Sequence, residues 1–557
     1  MSDISGGSVD TLVVGVDALS HDVLSHLPDG TTPTIDAVIA EGASGPLKAQ
    51  LPPWTPSTWP SIYTGVNPGK HGVYGFLRFE GYDWEIVDGT DVREHALWEL
   101  LSREGYRSVV VNVPVTHPPA TFDGALIPGY TAPEDPDCHP SDLLAEVREA
   151  IGEYRLYNTQ LSEGATREER IDGYEDLTRM RGEAFRYLVE RDDPEFGFIQ
   201  FQQSDTVLHE FPDDEEAPER VYAAIDAEIE QLLDDSDPTN VVIVSDHGIG
   251  PCEGAEFRPN TLFRDRGIAE TSASAVKPSW SQLATKTLRN GEAGSSAAVG
   301  NDDSSTATER SPSVSERALG VAASVGLTSQ RIGAVLEALH LDDAVLRVVP
   351  NELVRAGAEH VDFPNSRAYM RDRIEMGIRI NLAGREPSGT VEPGEYEPFR
   401  TELIELLREL RSPDGESVFD AVLPREDVFT GPYVEDAPDI VTVPNSFDVF
   451  LSSSVLDEPF GTPREAWNHK LNGIVAVSGP GVPATELTGA HMLDVAPSVL
   501  SLLGAPVSDR MDGSALPVIE ESGRVTYPEY EDRDTSSLET APSDEVEDRL
   551  SNLGYLE

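Results

Sequence analysis

Thr11-Leu-Val-Val-Gly-Val16, closed by Asp17, is the stretch on which the fold turns. Six uncharged residues rich in β-branched side chains form a continuous apolar run. That is the signature of a strand buried on both faces, as in parallel sheets, and not of a half-exposed one. An acid at the carboxyl end of such a strand stands where open α/β sheets place their ligands. The pattern then repeats. Residues 34–41 and 97–103 read as helices, and 107–112 as a second buried strand. Two helices follow between 141 and 191, the second long and rich in charge. Residues 196–201 form a third strand with Asp205 and His209 close behind. An acidic helix spans 215–234, and a fourth strand, 240–245, runs into Asp246-His247. Strands alternating with helices predict an α/β fold, with a mostly parallel sheet and helices on both faces.

The alternation breaks after residue 265. Residues 291–314 are small, polar and acidic without apolar periodicity, which predicts a disordered linker over about 290–315. Helical segments are expected between 315 and 346. Strands resume near 377–382, 418 and 440, with a helix at 398–411. A late buried strand occupies 473–477 and a helix 493–503. The acidic stretch 529–545 reads as loose, and 546–556 as a short docking helix. The expected organisation is a core begun by residues 1–265, an insertion or cap at 266–370, the remainder of the core at 371–525, and an acidic tail at 526–557. No internal repeat is visible.

At 557 residues the chain is long enough for two to four domains, or for one large domain with insertions. Its formal net charge is −59, and only five of its cations are lysines. The acids are scattered over helices and loops. Such a surface repels itself unless concentrated counterions screen it, so a salt-rich cytosol of the halophile kind is the expected setting. The same charge argues against binding nucleic acid or anionic membrane through a basic patch. No basic and apolar leader precedes Asp10, and the apolar runs are too short to span a bilayer. Cys138 and Cys252 imply neither a disulfide framework nor a cysteine metal site. A soluble cytoplasmic protein is expected.

Chemistry concentrates at the strand ends. Asp17, the pair Asp205 and His209, and the pair Asp246 and His247 follow three of the strands, and His469 precedes the late one. Mixed carboxylate and imidazole sets suit zinc, manganese or iron, whereas all-oxygen sets suit magnesium or calcium. The Asp-x-x-x-His spacing of 205 and 209 brings both side chains to one ion if the segment makes one helical turn. Each signal alone has a plainer reading, such as a helix cap or a surface histidine; their coincidence outweighs it. The run Leu51-Pro-Pro-Trp-Thr55-Pro-Ser-Thr58-Trp-Pro-Ser-Ile-Tyr-Thr64-Gly65, continuing to His71-Gly-Val-Tyr-Gly-Phe76, adds a hydroxyl-rich turn. It is able to open a helix whose first N–H groups face an anion.

These residues together resemble the type I phosphodiesterase/nucleotide pyrophosphatase branch of the alkaline phosphatase superfamily. The resemblance runs from Val13-Val-Gly-Val-Asp17 through Thr55, Thr64-Gly65 and His71-Gly72 to Asp205, His209, Ser245-Asp-His-Gly248 and His469. Gly377, Asn381 and Arg385-Glu-Pro, Asp494-Val-Ala-Pro-Ser, and Met511-Asp-Gly513 resemble the later part of prokaryotic members. It covers most of the chain apart from the linker and the acidic tail. It implies a three-layer, alkaline-phosphatase-like sandwich and a site for two divalent metal ions, zinc or alternatively manganese. One ion would be held by Asp17, Asp246 and His247 and would touch the nucleophile; the other would be held by Asp205, His209 and His469. The nucleophile implied is Thr55, which stands nine residues before Thr64 as in the family, with Thr58 as the rival. Hydrolysis of a phosphodiester or pyrophosphate bond in a small phosphate-ester substrate, through a phospho-threonine intermediate, is the expected activity. Backbone N–H groups after Thr55 are expected to bind a phosphoryl oxygen.

One departure separates this chain from the eukaryotic nucleotide pyrophosphatases: Phe76 occupies the position of an asparagine that helps bind the phosphoryl group. Asn112 is a possible substitute, with a turn-forming role as its plainer reading. His71 is expected to shape its turn and not to bind metal. Sulfate-ester hydrolysis is disfavoured, because neither cysteine starts a Cys-x-Pro-x-Arg box. The superfamily's phosphoglycerate mutases use a serine and a separate transferase domain that has no match here. The alternatives left open are a phosphomonoesterase, a transferase of phosphoryl-linked headgroups, and a metal-bound homologue without hydrolytic activity.

Overall fold

The computed structural model describes residues 8–158, 165–272 and 359–526. The expected linker at 290–315, the helical segments at 315–346, most of the insertion, the acidic stretch and the docking helix lie outside the described residues.

The central sheet contains β1 (Thr11–Val16), β2 (Ala43–Lys48), β3 (Ser108–Val111), β4 (Gly124–Ile127), β5 (Phe196–Phe201), β6 (Asn240–Val244) and, late in the chain, Asn472–Ser478. Two further strands, β7 (Gly248–Pro251) and β8 (Trp467–Lys470), form a separate antiparallel pair beside it, and Asn472–Ser478 follows as β9. The spatial order is β2-β9-β6-β1-β5-β3-β4, with two short strands pairing on the far side of β2. β6, β1, β5, β3 and β4 run parallel, whereas β9 is antiparallel to both β6 and β2.

Every residue of β1, β5 and β6 is buried, as their unbroken apolar runs predict. Successive side chains enter opposite cores. Leu12, Val14 and Val16 join one hydrophobic cluster, while Val13 joins another; Val109 and Val111 split from Val110 in the same way. Helices α1 (Pro33–Glu41), α2 (Thr55–Thr64), α3 (Leu97–Arg103), α4 (Leu143–Ile151), α5 (Arg167–Asp192), α6 (Gln203–Glu210), α7 (Glu216–Ser236), α8 (Tyr396–Arg408) and α9 (Val495–Leu502) supply the layers. α1, α4, α5, α6 and α7 cover the first face; α2, α3 and α9 cover the second. The result is the three-layer α/β sandwich expected from the sequence.

Local chemistry explains the main elements. α5 starts with a capping box between Thr166 and Glu169, and α7 buries Val221, Ile225, Ile229 and Leu232 on one stripe. β2 carries no sequence signal of a strand, because Gly45 and Pro46 interrupt it. Pro46 falls between the two short edge strands that pair with Ala43–Ser44 and Leu47–Lys48, where no ladder partner requires its missing N–H. The stretch from 368 to 444 builds a smaller antiparallel sheet of four strands with α8 packed on it, and its aromatic core includes Trp54 and Phe76 from the hydroxyl-rich stretch around Thr55. Among the described residues no helix is long and apolar enough to cross a membrane.

Candidate active site

The parallel strands β1, β5 and β6 end on one side of the sheet, and each delivers a candidate ligand there. Asp17 follows β1 directly. Asp246 and His247 occupy the bend between β6 and β7. α6 begins two residues after β5 and carries Asp205 and His209 one turn apart on one face, as the i, i+4 spacing requires. His469 precedes β9, as the sequence predicts, and lies inside the short strand β8, opposite Ile249 of β7. That pairing holds it against His247, and the two rings stack with centroids 3.7 Å apart.

All six proposed ligands converge. Donor atoms of Asp17, Asp246 and His247 lie within 4.8 Å of one another, and so do those of Asp205, His247 and His469. His247 therefore stands between the two groups and belongs to both. His209 Nε2 lies 3.1 Å from His469 Nε2 and 3.4 Å from Asp205 Oδ1. The hydrogen bonds at the far sides of the rings select the reacting nitrogens. His247 Nδ1–H donates to Gly248 O at 3.0 Å, and His469 Nδ1–H donates to Pro53 O at 2.9 Å. Each ring thus turns an Nε2 lone pair toward carboxylate oxygens. His247 Nε2 and Asp17 Oδ1 are buried without a hydrogen-bond partner.

Lone pairs facing anionic oxygens in a dry interior repel, so this arrangement is suited to a cation between them. The protonation preferences of the bare chain carry the same mark. Burial, followed by the charges of Asp246 and Asp205, holds the Asp17 carboxyl well above its ordinary range. Burial also raises Asp246. Burial opposes ionisation of Asp205 as well, but the imidazoles of His209, His469 and His247 outweigh it and hold this carboxyl below its usual range. For His209, burial is overcome by Asp205 and by Glu465, and its pKa rises to about 10. Three buried carboxylates and three imidazoles with inward-facing nitrogens form a donor set that fits divalent cations.

The two threonines differ. Thr58 Oγ1 is committed, donating within 2.9 Å of Asp246 Oδ2 and lying 3.0 Å from Trp54 O. Thr55 is the first residue of α2 and is buried, and its hydroxyl forms no hydrogen bond among the described residues. The expectation for the backbone is corrected here. Pro56 has no N–H, and those of Ser57 and Thr58 both turn back to Trp54 O at 2.9 and 3.0 Å. The N–H groups after Thr55 are therefore occupied. His71 is buried and shapes its turn. Its Nδ1 accepts from Val73 N at 3.2 Å, its Nε2 meets Ser61 Oγ at 2.9 Å, and burial depresses its pKa to about 3. Phe76 is buried edge-on to Tyr130.

Several residues that carry no motif also line the site. Glu465 Oε2 lies 3.4 Å from His209 Nδ1, and its other oxygen pairs with Arg373 at 2.9 Å. Arg373 sits over the Trp54 ring, which packs on His469 at 4.0 Å. Trp59 and Gln200 both donate to Asp17 Oδ2, at 3.2 and 2.8 Å. Asn112 adopts the left-handed region (φ 62°) and donates its amide to Gln200. In sequence, a Gln inside an apolar strand and a Glu in a loop look like any other; only the fold gives them partners.

The family model for type I phosphodiesterase/nucleotide pyrophosphatase matches residues 11–324, more than half of the chain, a span that contains Thr55 and all the candidate ligands except His469. No functionally curated protein matches. Among solved structures, murine ectonucleotide pyrophosphatase/phosphodiesterase 5 aligns at 12% identity over 89% of this chain and 95% of its own, with a TM-score of 0.46. Phosphonoacetate hydrolase from Sinorhizobium meliloti aligns at 14% identity over 88% and 95%, TM-score 0.46. Wild-type alkaline phosphatase PafA aligns at 13% identity over 92% and 99%, TM-score 0.48.

Proposed function

The chain belongs to the type I phosphodiesterase/nucleotide pyrophosphatase family of the alkaline phosphatase superfamily and is a hydrolase of phosphoric ester bonds; from that premise we propose that it cleaves a phosphodiester or pyrophosphate bond with Thr55 as nucleophile, at a site binding two divalent cations. The observation that carries this reading is the convergence of six carboxylate and imidazole ligands beside the first turn of α2. Zinc suits the mixed nitrogen and oxygen set best, with manganese the second choice. Bound there, such ions supply the positive charge that stabilises an ionised threonine hydroxyl and the charge growing on the phosphoryl oxygens.

The chain's own groups perform the rest. Thr55 is favoured over Thr58 because its hydroxyl is uncommitted, whereas Thr58 is held by Asp246 and Trp54 O. Attack by Thr55 Oγ on phosphorus forms the Oγ–P bond as the bond to the leaving oxygen breaks. Water then attacks the phospho-threonine, releases the phosphoryl product and restores the hydroxyl. Asp17, Asp246 and His247 serve the nucleophile side, and Asp205, His209 and His469 the leaving side. The setting is a salt-rich cytoplasm, read from the charge of −59.

A phosphomonoesterase is the second reading; Phe76 weakens the transfer of nucleotide specificity from the eukaryotic relatives. The buried ring offers no amide to a phosphoryl oxygen where the eukaryotic relatives have asparagine. Comparison of nitrophenyl phosphodiester, phosphomonoester and sulfate hydrolysis in molar potassium chloride with zinc or manganese separates the two. The diester is expected to react fastest, and Thr55→Ala to lose on the order of 1,000-fold or more in rate. A faster monoester would favour the second reading, and undiminished activity in Thr55→Ala would remove Thr55 from its role.

A further inference from the structure

Asp17 is held by an unusual polar chain in the middle of the sheet. Gln200 lies on β5, opposite Gly15 of β1, and is fully buried. Its Nε2 donates to Asp17 Oδ2 at 2.8 Å and approaches Gln202 Oε1 at 3.3 Å. Its Oε1 accepts from Asn112 Nδ2 at 2.8 Å, and the same Nδ2 donates to Gln200 O at 2.9 Å. The amide of Gln200 is therefore pinned: Oε1 must accept from Asn112, so Nε2 must face Asp17. From the other side, Trp59 Nε1 donates to the same Oδ2 at 3.2 Å. Gly15 makes room for this. A Cβ at position 15 would stand 2.5 Å from Trp59 Cη2 and 3.2 Å from Gln200 Cγ, so any side chain would push the indole off the strand.

Both donors load one carboxylate oxygen and leave the other bare. Oδ1 has no hydrogen-bond partner and lies 3.4 Å from His247 Nε2. An apolar residue of matching shape at position 200 would pack without the cost of burying an amide. The polar chain therefore points to a requirement at Asp17 itself. We infer that Gln200 and Trp59, with Asn112 behind Gln200, are positioning residues that restrict Asp17 to ligation through Oδ1 alone and aim that oxygen at the ion shared with Asp246 and His247. The inference rests on the metal-binding reading above and deepens it. It assigns to Asn112 the orientation of Gln200, whose two oxygens its amide NH2 already serves. Such outer partners fix the lone-pair direction of a ligand, and their loss typically costs about 10–100-fold in metal affinity.

Two variants of the full chain test it in molar potassium chloride. Gln200→Met keeps length and removes the amide, both its oxygen and its NH2. Asn112→Gly deletes the amide while tolerating the positive φ. The readouts are zinc affinity by competition with a chromophoric chelator and the visible absorption of the cobalt-substituted protein. Gln200→Met is expected to weaken one of the two ions by about 10–100-fold and to alter its cobalt bands, with the other ion held as in wild type. Asn112→Gly is expected to move in the same direction by less, and it decides the matter if Gln200→Met does not fold. Wild-type affinities and an unchanged cobalt spectrum in the folded variants would overturn the inference while leaving the two-cation reading intact. A wild-type chain that takes up no divalent ion would overturn both.

Discussion

At the scale of single residues, Thr55 and Thr58 show how one helical turn assigns chemistry. They share a stretch, a side-chain type and burial, yet only Thr58 is tied to Asp246. Removing its hydroxyl deprives Asp246 Oδ2 of a donor without removing the proposed nucleophile, Thr55. Thr58→Val is accordingly expected to retain turnover but lower it by about 10-fold, a loss of about 1.4 kcal/mol in transition-state stabilisation. Steady-state rates on the preferred ester, compared with Thr55→Ala, check this; equal and complete loss in both would erase the distinction. The candidate ligands were legible in the sequence because carboxylates and imidazoles just beyond apolar runs have few structural uses. Gln200, Trp59, Glu465 and Arg373 were not. Each becomes meaningful only through a partner at least 92 positions away or on another element, such as Glu465 with Arg373.

At the scale of elements, α2 is the unusual one. All ten of its residues are buried, two are proline, and the hydroxyls of Thr58 and Ser61 bond back to carbonyls a turn earlier. The helix is tied down through Ser61 to His71, whose imidazole must remain neutral to accept from Val73 N–H. Burial lowers its pKa from 6.5 to about 3. The unfolded chain therefore binds a proton between those values that the folded chain does not. Stability from this group is complete above pH 6.5 and is lost as the pH falls toward 3, at about 1.4 kcal/mol per pH unit. His71→Gln, which cannot titrate, is expected to show a shallower decline of melting temperature between pH 6.5 and 4 than wild type. An identical decline would show that His71 does not control the acid response of this element. The helices and the buried parallel strands could be read from periodicity. β2 could not, because its proline is allowed only by a gap in its edge partners, a fact of topology.

At the scale of the whole molecule, two electrostatic facts dominate. The chain carries 100 acidic against 41 basic residues, and it buries three carboxylates in one cluster. The first predicts salt dependence. The screening length falls from about 10 Å at 0.1 M salt to about 3 Å at 1 M, so self-repulsion declines over that range and the melting temperature is expected to rise. Full stability in dilute buffer with loss in molar potassium chloride would contradict the halophilic reading. The second predicts that cations stabilise the fold. Loading at 100 times the dissociation constant adds about 2.7 kcal/mol for each site, which chelation removes. A melting temperature insensitive to both zinc and chelator would count against a cation at the cluster. The sandwich was legible as a class because alternating strands and helices leave few arrangements. The smaller sheet from 368 to 444 gave weaker signals, since its strands are short and its core borrows Trp54 and Phe76 from the other end of the chain.

The central claim is that Thr55 becomes covalently phosphorylated during turnover. Acid quenching of the zinc-loaded protein in molar potassium chloride within the first turnover of a phosphodiester, followed by peptide mass mapping, tests it directly. The account predicts an adduct of the phosphoryl group with the substrate's non-leaving ester still attached, on the peptide containing Thr55, located at Thr55 and absent from Thr55→Ala. An adduct located at Thr58, or one that persists in Thr55→Ala, would contradict it.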